Sequence, residues 1–179
     1  MSLDPQVIAS SWLADCSSAF ATQDLDALTG LFLLDGWLRD LLVFTWDNRS
    51  LEGREKIKAF LLPTLSDAQV SGFKLDESAY LAPRTSDIPQ IQATDIEFAY
   101  NFECRRGPGR GYVRLLADAD GEYRALAVLM MLYDLRGHEE ISTLHLRDEA
   151  DSAGHNTQKE FADWVKEVET NPYVLIGTS

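Results

Sequence analysis

The sequence predicts an α+β fold in which helices pack on one face of a curved antiparallel sheet. Apolar residues at helical spacing dominate the N-terminal third, whereas strand-like segments separated by turn residues follow Pro63. The 179 residues and the hydrophobic content of 45% suit one domain with an ordinary buried core. We therefore expect a main domain over 1–137 and a C-terminal extension over 138–179.

Three helices are expected in the N-terminal part of the chain. Residues 5–21 carry large apolar side chains three and four positions apart, which is typical of an amphipathic helix. Asp24 is a suitable N-cap for a second, short helix over 25–32. A third helix is expected within 52–62. One more helix, over 157–168, is expected in the C-terminal extension.

The strands are expected to form an antiparallel meander. One strand, 37–46, lies between the second and third helices. The others are expected near 72–80, 90–104, 111–119 and 124–135, each bounded by Gly, Pro, Asp or Asn.

Two glycine-containing segments predict the hairpin turns between these strands. They are Gly-Pro-Gly-Arg-Gly at 107–111 and Asp-Ala-Asp-Gly at 118–121. On the strand from residue 90, we expect the aromatic face that carries Phe98, Tyr100 and Phe102 to point inward.

Charge and composition exclude several classes of partner. Sixteen Lys+Arg against 29 Asp+Glu give a net charge of -13, which disfavours nucleic acid and anionic membranes. The first basic residue is Arg39 and no apolar run approaches the roughly 20 residues of a membrane span, so a cytoplasmic location is expected. Cys16 and Cys104 are expected to be free buried thiols.

Asp40 is the most informative polar residue of the predicted strand 37–46. Period-two alternation places it on the same face as four apolar or aromatic side chains, which are Leu38, Leu42, Phe44 and Trp46. Asp40 is therefore expected to lie among apolar and aromatic neighbours.

The sequence resembles the nuclear transport factor 2-like superfamily, which includes ketosteroid isomerase, scytalone dehydratase and SnoaL-like cyclases. The likeness covers about residues 8–137. The segments that carry it are Asp24-Leu25-Asp26, Leu31-Phe32, Asp35, the strand with Asp40, and the helix from Glu52 to Phe60. The resemblance implies a cone-shaped sheet that encloses a pocket, with Asp40 at the position of the isomerase's proton-shuttling aspartate.

A narrower resemblance is to the N-terminal domain fused to some fungal flavin-dependent monooxygenases. It is carried by residues 37–42, 45–47, 109–115 and 137–140. In those proteins a flavin-binding domain follows, and residues 171–177 look like its first strand. We expect that domain to be missing here. Since no G-x-G-x-x-G motif is present, no FAD, NADPH or other cofactor is expected.

Three residues are candidate acid–base groups. Asp40 is the first, with a structural ion pair to Arg39, Arg49 or Arg114 as the alternative. Tyr100 is the second: its hydroxyl would donate to an oxyanion, and the alternative is that Tyr100 belongs to an aromatic core. His138 is the third, within a polar His-Glu-Glu cluster; no metal is expected, because an H-E-x-x-H motif would require histidine at Ser142.

The expected pocket walls are mostly aromatic. They are Trp37, Phe44, Trp46, Phe102, Tyr112, Arg114 and Tyr133. Arg114 would hold a carboxylate or enolate, although an exposed position on the sheet explains an arginine equally well.

Two functions remain open from the sequence. The first is a cofactor-independent isomerase, dehydratase or cyclase that acts on an apolar small molecule in fungal natural-product biosynthesis. The alternative is a non-catalytic ligand-binding or oligomerisation module. The resemblance also implies a homodimer formed through the outer face of the sheet.

Overall fold

A computed structural model describes residues 4–88, 93–138 and 165–166. The chain divides into two compact units, Met1–Glu140 and Ile141–Ser179, and the elements below belong to the first. The helix expected over 157–168 lies outside the described residues, apart from the helical residues 165 and 166.

The first two helices begin where an aspartate side chain provides a cap. Helix α1, Pro5–Thr22, starts at Asp4, whose carboxylate accepts a hydrogen bond from the Gln6 amide at 3.0 Å. Helix α2, Leu25–Gly30, is capped in the same way by Asp24. Helices α3, Arg54–Leu61, and α4, Leu65–Ala68, follow. The first three confirm the sequence prediction, and α4 was not predicted.

The described strands form one curved, mixed sheet. In chain order they are β1 Phe32–Leu41, β2 Asn48–Glu52, β3 Ser71–Leu75, β4 Arg84–Ile88, β5 Ala93–Cys104, β6 Gly107–Ala117 and β7 Tyr123–Leu132. The order across the sheet is β2-β1-β7-β6-β5-β3, and β4 also pairs with β5. The predicted α+β class with a curved sheet is confirmed.

The pairing departs from the predicted antiparallel meander at two places: β3 pairs with β5 and not with β4, and β1 pairs with β7. Strands β1 and β7 run parallel, whereas the other pairs of described strands are antiparallel. Three irregularities in register bend the sheet, between Phe32 and Trp37 on β1, between Ser71 and Lys74 on β3 and between Arg114 and Leu115 on β6. A parallel pair requires a long crossover between its strands, and here residues 42–122, with the other five strands, lie between β1 and β7.

Helix α1 packs against the inner face of the sheet. The rings of Trp12 and Phe98 meet edge to face at 6.0 Å, and those of Phe20 and Phe73 lie 5.2 Å apart. The side chains of Phe98, Tyr100 and Phe102 on β5 are buried. The prediction that this aromatic face points inward is confirmed.

The prediction of a hairpin turn at 107–111 is wrong, because this segment is the first half of β6. The β5–β6 turn falls instead at Arg105 and Arg106. Gly109 and Gly111 pair with Phe102 and Tyr100, and a Cβ atom at either glycine would overlap the opposing ring. These glycines therefore provide space for two inward aromatic rings. The predicted turn at 118–121 is confirmed, with the Gly121 amide donating to the Asp118 carbonyl at 3.0 Å.

Substitution of Gly111 by alanine is expected to lower the free energy of unfolding by about 2 kcal/mol. The added methyl group would force the buried Tyr100 ring out of its position. Gly30→Ala is the matched control, since no atom lies within 4 Å of the Cβ that it adds. Urea denaturation of both variants measures the difference, and equal stabilities would show that the ring moves without cost.

Candidate functional site

The Asp40 carboxylate is fully buried and accepts hydrogen bonds from the backbone just after it. It accepts from the amide of Val43 at 2.9 Å, from that of Phe44 at 3.3 Å and from that of Thr45 at 3.4 Å. Asp40 makes no ion pair with Arg39, Arg49 or Arg114 among the described contacts. Arg49, opposite Asp40 in the strand register, instead pairs with Asp47 at 2.6 Å. The carboxylate therefore holds the loop that follows its own strand.

The strand predicted over 37–46 ends at Leu41 because the chain turns sharply. Leu42 has a φ of 69°, a left-handed conformation that cannot continue a strand. Residues 42–47 form a loop in which the consecutive side chains of Val43 and Phe44 are both buried. The predicted alternation is therefore wrong beyond Leu41. Trp46 is 64% exposed and does not share the buried surroundings of Asp40.

Arg106 holds this 42–47 loop from the β5–β6 turn. Its guanidinium donates to the Val43 carbonyl oxygen and lies over the Trp46 ring, 4.8 Å from the ring centroid. It is also the positive charge that acts on Asp40. Its attraction for the carboxylate opposes the increase in the Asp40 pKa that burial causes.

Burial decides the direction of the Asp40 pKa. Desolvation raises the pKa of Asp40 above its ordinary value of 3.8, and the loop amides and Arg106 offset part of this increase. A carboxyl with a raised pKa can exchange protons with a carbon acid, provided that the carbon acid reaches it.

The interior between α1 and the sheet is almost filled. The remaining space is about 10 Å³, room for roughly one water molecule. Its lining residues are Trp12, Cys16, Phe20, Leu28, Phe32, Leu38, Phe44, Leu61, Tyr100, Val128 and Met130. The described interior therefore has no room for a small-molecule substrate.

Tyr100 lies within this filled interior. Its side chain is 1% exposed, and its hydroxyl donates to the Leu129 carbonyl oxygen at 3.4 Å. Burial raises the Tyr100 pKa well above its ordinary value, so the phenol is neutral at physiological pH. Phe102 packs beside it, with ring centroids 5.9 Å apart. Burial likewise raises the pKa of the Cys16 thiol, which is therefore a weak nucleophile.

A second cavity lies on the opposite face of the sheet and is much larger. This outer-face groove has a volume of about 350 Å³. Its lining residues are Trp37, Leu38, Arg39, Ser50, Tyr112, Arg114, Ala127, Val128 and Leu129. The structure thus brings together three of the predicted substrate-binding residues, Trp37, Tyr112 and Arg114, outside the sheet and not within a cone.

One side of the groove rests on an ion pair whose carboxylate is buried. The Arg114 guanidinium donates to the Asp95 carboxylate at 2.5 Å and lies 4.0 Å from Glu97. Asp95 is fully buried, and its second oxygen, Oδ1, has no hydrogen-bond partner within the described part of the chain. Glu97 also pairs with Arg84 at 2.7 Å. The charge of Arg114 is therefore balanced by two carboxylates.

The other candidate residues are solvent-exposed and separate from both cavities. Tyr133 is 54% exposed, and the Arg110 guanidinium lies 3.7 Å from its ring centroid. His138 is exposed, and its backbone amide donates to the Leu135 carbonyl. Among the described residues, no three His, Cys, Asp or Glu side chains come close enough to hold a metal ion.

Sequence reasoning missed Arg39 and Arg106 as residues of interest. Arg39 was considered only as an ion-pair partner of Asp40. Arg106 could not be found from local patterns, because its contact with Val43 spans 63 positions in the sequence. A local signal did exist for the capping role of Asp40, because aspartate side chains often accept from amides a few residues ahead.

Solved structures share this fold at low sequence identity. A ketosteroid isomerase-like protein from Erwinia carotovora atroseptica matches with a TM-score of 0.50 and 11% identity, over 72% of this chain and 95% of that one. Nuclear transport factor 2 from Cryptosporidium parvum matches with a TM-score of 0.51 and 17% identity, over 74% of this chain and 98% of that one. A domain of unknown function with a cystatin-like fold, from Nostoc punctiforme, matches with a TM-score of 0.53 and 10% identity, over 96% of this chain and 100% of that one.

These likenesses show the fold alone, which is that of nuclear transport factor 2-like proteins. No known family profile matches the sequence, and no curated protein matches it at a significant level. The narrower resemblance to the N-terminal domain of fungal flavin-dependent monooxygenases stays a prediction. No helix in the described residues is long and apolar enough to span a membrane.

Proposed function

We propose that this chain is a non-catalytic binding module and not a proton-transfer enzyme. The observation that carries the proposal is that the interior leaves about 10 Å³ of free space. The Asp40 carboxylate is, in addition, already engaged by three amides of its own loop. A catalytic carboxylate needs an oxygen that is free of other partners, and it needs space for the substrate beside that oxygen. In this conformation both oxygens of Asp40 accept amide hydrogen bonds, and the interior has no such space.

The second candidate is the isomerase, dehydratase or cyclase predicted from the sequence. The raised pKa of Asp40 favours it, since a buried carboxyl with such a pKa is suited to general acid–base catalysis. For this function the 42–47 loop would have to leave the interior, taking Phe44 with it. Tyr100 would then be the donor to a developing enolate.

Deuterium exchange distinguishes the two candidates. An enzyme that removes a proton from carbon would exchange the α-hydrogens of a bound ketone in D₂O even when the physiological product is unknown. We would follow a panel of ketones that carry an aromatic ring, among them 2-tetralone, by proton NMR with wild-type protein, Asp40→Asn and the exposed control Asp47→Asn. The binding proposal predicts the buffer rate for all three proteins.

An increase of about 100-fold in wild type, lost in Asp40→Asn and kept in Asp47→Asn, would contradict the binding proposal. That pattern would establish Asp40 as the acid–base group. The same increase in all three proteins would point to a different base and would also contradict it.

Self-association is a further proposal of the same non-catalytic kind. The resemblance implies a homodimer, and the net charge of -13 supports solubility of a small assembly over larger aggregates. Light scattering at micromolar concentration should give twice the chain mass of 20.1 kDa. A single-chain mass would contradict the expectation.

A further inference from the structure

We infer that Arg39 of each chain pairs with Glu52 of the partner subunit in a homodimer that forms through the outer face of the sheet. The inference rests on the proposed self-association and names the two residues that select the partner. Three observations support it. Two unpaired opposite charges lie side by side on this face, their positions suit a twofold axis, and apolar side chains lie beside them.

Arg39 and Glu52 are exposed side chains of opposite charge. The ion pairs within the described residues involve neither of them. By contrast, Arg114, the other arginine of the outer-face groove, is balanced by Asp95 and Glu97. An arginine guanidinium binds a carboxylate with two parallel hydrogen bonds, so Arg39 and a carboxylate of a second chain suit each other.

The strand register places the two charges on neighbouring strands. Arg39 on β1 lies opposite Ser50 on β2, and Trp37 lies opposite Glu52. Trp37 and Arg39 are two positions apart on β1, so they share the outer face, and the residues directly opposite them on β2 share it too. Arg39 and Glu52 therefore occupy diagonal positions about 7–8 Å apart.

This diagonal arrangement is self-complementary. In a homodimer of twofold symmetry each surface meets a copy of itself, so residue i contacts residue j while residue j contacts residue i. A twofold axis that runs parallel to the sheet and passes between Arg39 and Glu52 brings each of them to its opposite charge on the partner subunit. The symmetric contact thus pairs four charges. The net charge of -13 opposes self-association at long range, so association requires such local complementarity.

Apolar side chains beside the two charges supply area for an interface to bury. Trp37 is 43% exposed, although tryptophan is usually well covered. The outer-face groove next to it, with Leu129 and Tyr112 in its wall, has a volume of about 350 Å³. Tryptophan, tyrosine and arginine are enriched at the centres of protein interfaces. A second copy of the chain that covers the groove would bury Trp37 together with both ion pairs.

Charge reversal in the full-length chain tests the inference. Arg39→Glu leaves two acids at the diagonal positions, so like charges face each other across the axis and the dimer should weaken at least about 100-fold. Glu52→Arg leaves two bases and should weaken it similarly. Arg49→Glu is the matched control. It makes the same change of charge on β2, but Arg49 lies opposite Asp40 and shares the other face of the sheet. Analytical ultracentrifugation measures the dissociation constants, and circular dichroism checks that each variant folds.

Mixing the two reversed variants is the decisive measurement. An Arg39→Glu chain presents two acids and a Glu52→Arg chain presents two bases, so each opposes its own copy and suits the other. An equimolar mixture should therefore form a mixed dimer at concentrations where either variant alone is monomeric. The two chains differ in mass, so native mass spectrometry identifies the mixed species. An ion pair between Arg39 and Glu52 within one chain would not produce this pattern.

Three results would overturn the inference. If wild type has a single-chain mass, the proposed self-association fails and the inference fails with it. If wild type is a dimer and both reversed variants dimerise as tightly, self-association stands but uses another surface. If both variants are monomeric and their mixture stays monomeric, Arg39 and Glu52 affect the dimer without pairing across it. The deuterium-exchange experiment judges the non-catalytic role independently of all three.

Discussion

Replacement of Phe44 by alanine is expected to lower the free energy of unfolding by about 3–5 kcal/mol. The Phe44 side chain is 4% exposed and lies between the rings of Phe20 and Phe60, with centroids 6.3 and 6.0 Å away. Phe44 also lines the small interior space, so its removal enlarges that space into an apolar cavity. Urea denaturation measures the loss of stability.

The same variant should bind benzene, because an enlarged apolar cavity stays dry and accepts apolar molecules. Saturating benzene is expected to raise the melting temperature of Phe44→Ala and to leave that of wild type unchanged. Trp46→Ala, on the same loop, is the control. It removes an exposed ring that contacts Arg106 and should cost less than about 1 kcal/mol. Equal losses in the two variants would show that Phe44 does not fill the interior.

Replacement of Asp40 by alanine is expected to lower the free energy of unfolding by about 3 kcal/mol. The amides of Val43, Phe44 and Thr45 would lose their acceptor, and the first two of these contacts are buried. An unsatisfied buried amide costs about 1–3 kcal/mol, and part of the loss is recovered as the loop relaxes. Asp47→Ala, an exposed aspartate of the same loop, should change the free energy of unfolding by less than about 0.5 kcal/mol.

The pH dependence of stability tests the protonation of Asp40. Its folded-state pKa is raised above 3.8, so the folded chain binds this proton more tightly than the unfolded chain does. The resulting stabilisation is fully present below the unfolded pKa and is lost as pH rises through the raised value. Asp40→Asn lacks this contribution. The stability of wild type relative to Asp40→Asn should therefore fall as pH rises from about 4.

A relative stability that increases with pH over the same interval would contradict this assignment. It would mean that the amides and Arg106 outweigh burial and hold the folded-state pKa of Asp40 below its ordinary value. Asp40 would then remain ionised throughout the working range, and the proton-transfer candidate would lose its main support.

The fold could be predicted from the sequence because its local signals agree with its tertiary structure. Asp24 caps the beginning of α2 as expected, and Asp4 caps α1 in the same way. The alternation on β5 identified the buried ring face correctly. Local signals failed at Gly109 and Gly111, where glycine serves packing and not a turn. A short-range pattern cannot separate these two uses of glycine, because the opposing ring lies on another strand.

The candidate site was less predictable, because it depends on contacts between distant parts of the chain. Residue types and spacing determined that Asp40 would be buried among apolar side chains, and the structure places it there. Only the tertiary structure decided that the chain turns at Leu42 and brings three amides to that carboxylate. Period-two alternation likewise puts Trp37 and Arg39 on one face, but helix packing and strand order determine that this face lies outside. The sequence thus determined helices α1 to α3 and the inward ring face of β5 by itself, because their signals are local. The closed interior and the outer-face groove arise only when distant segments pack together.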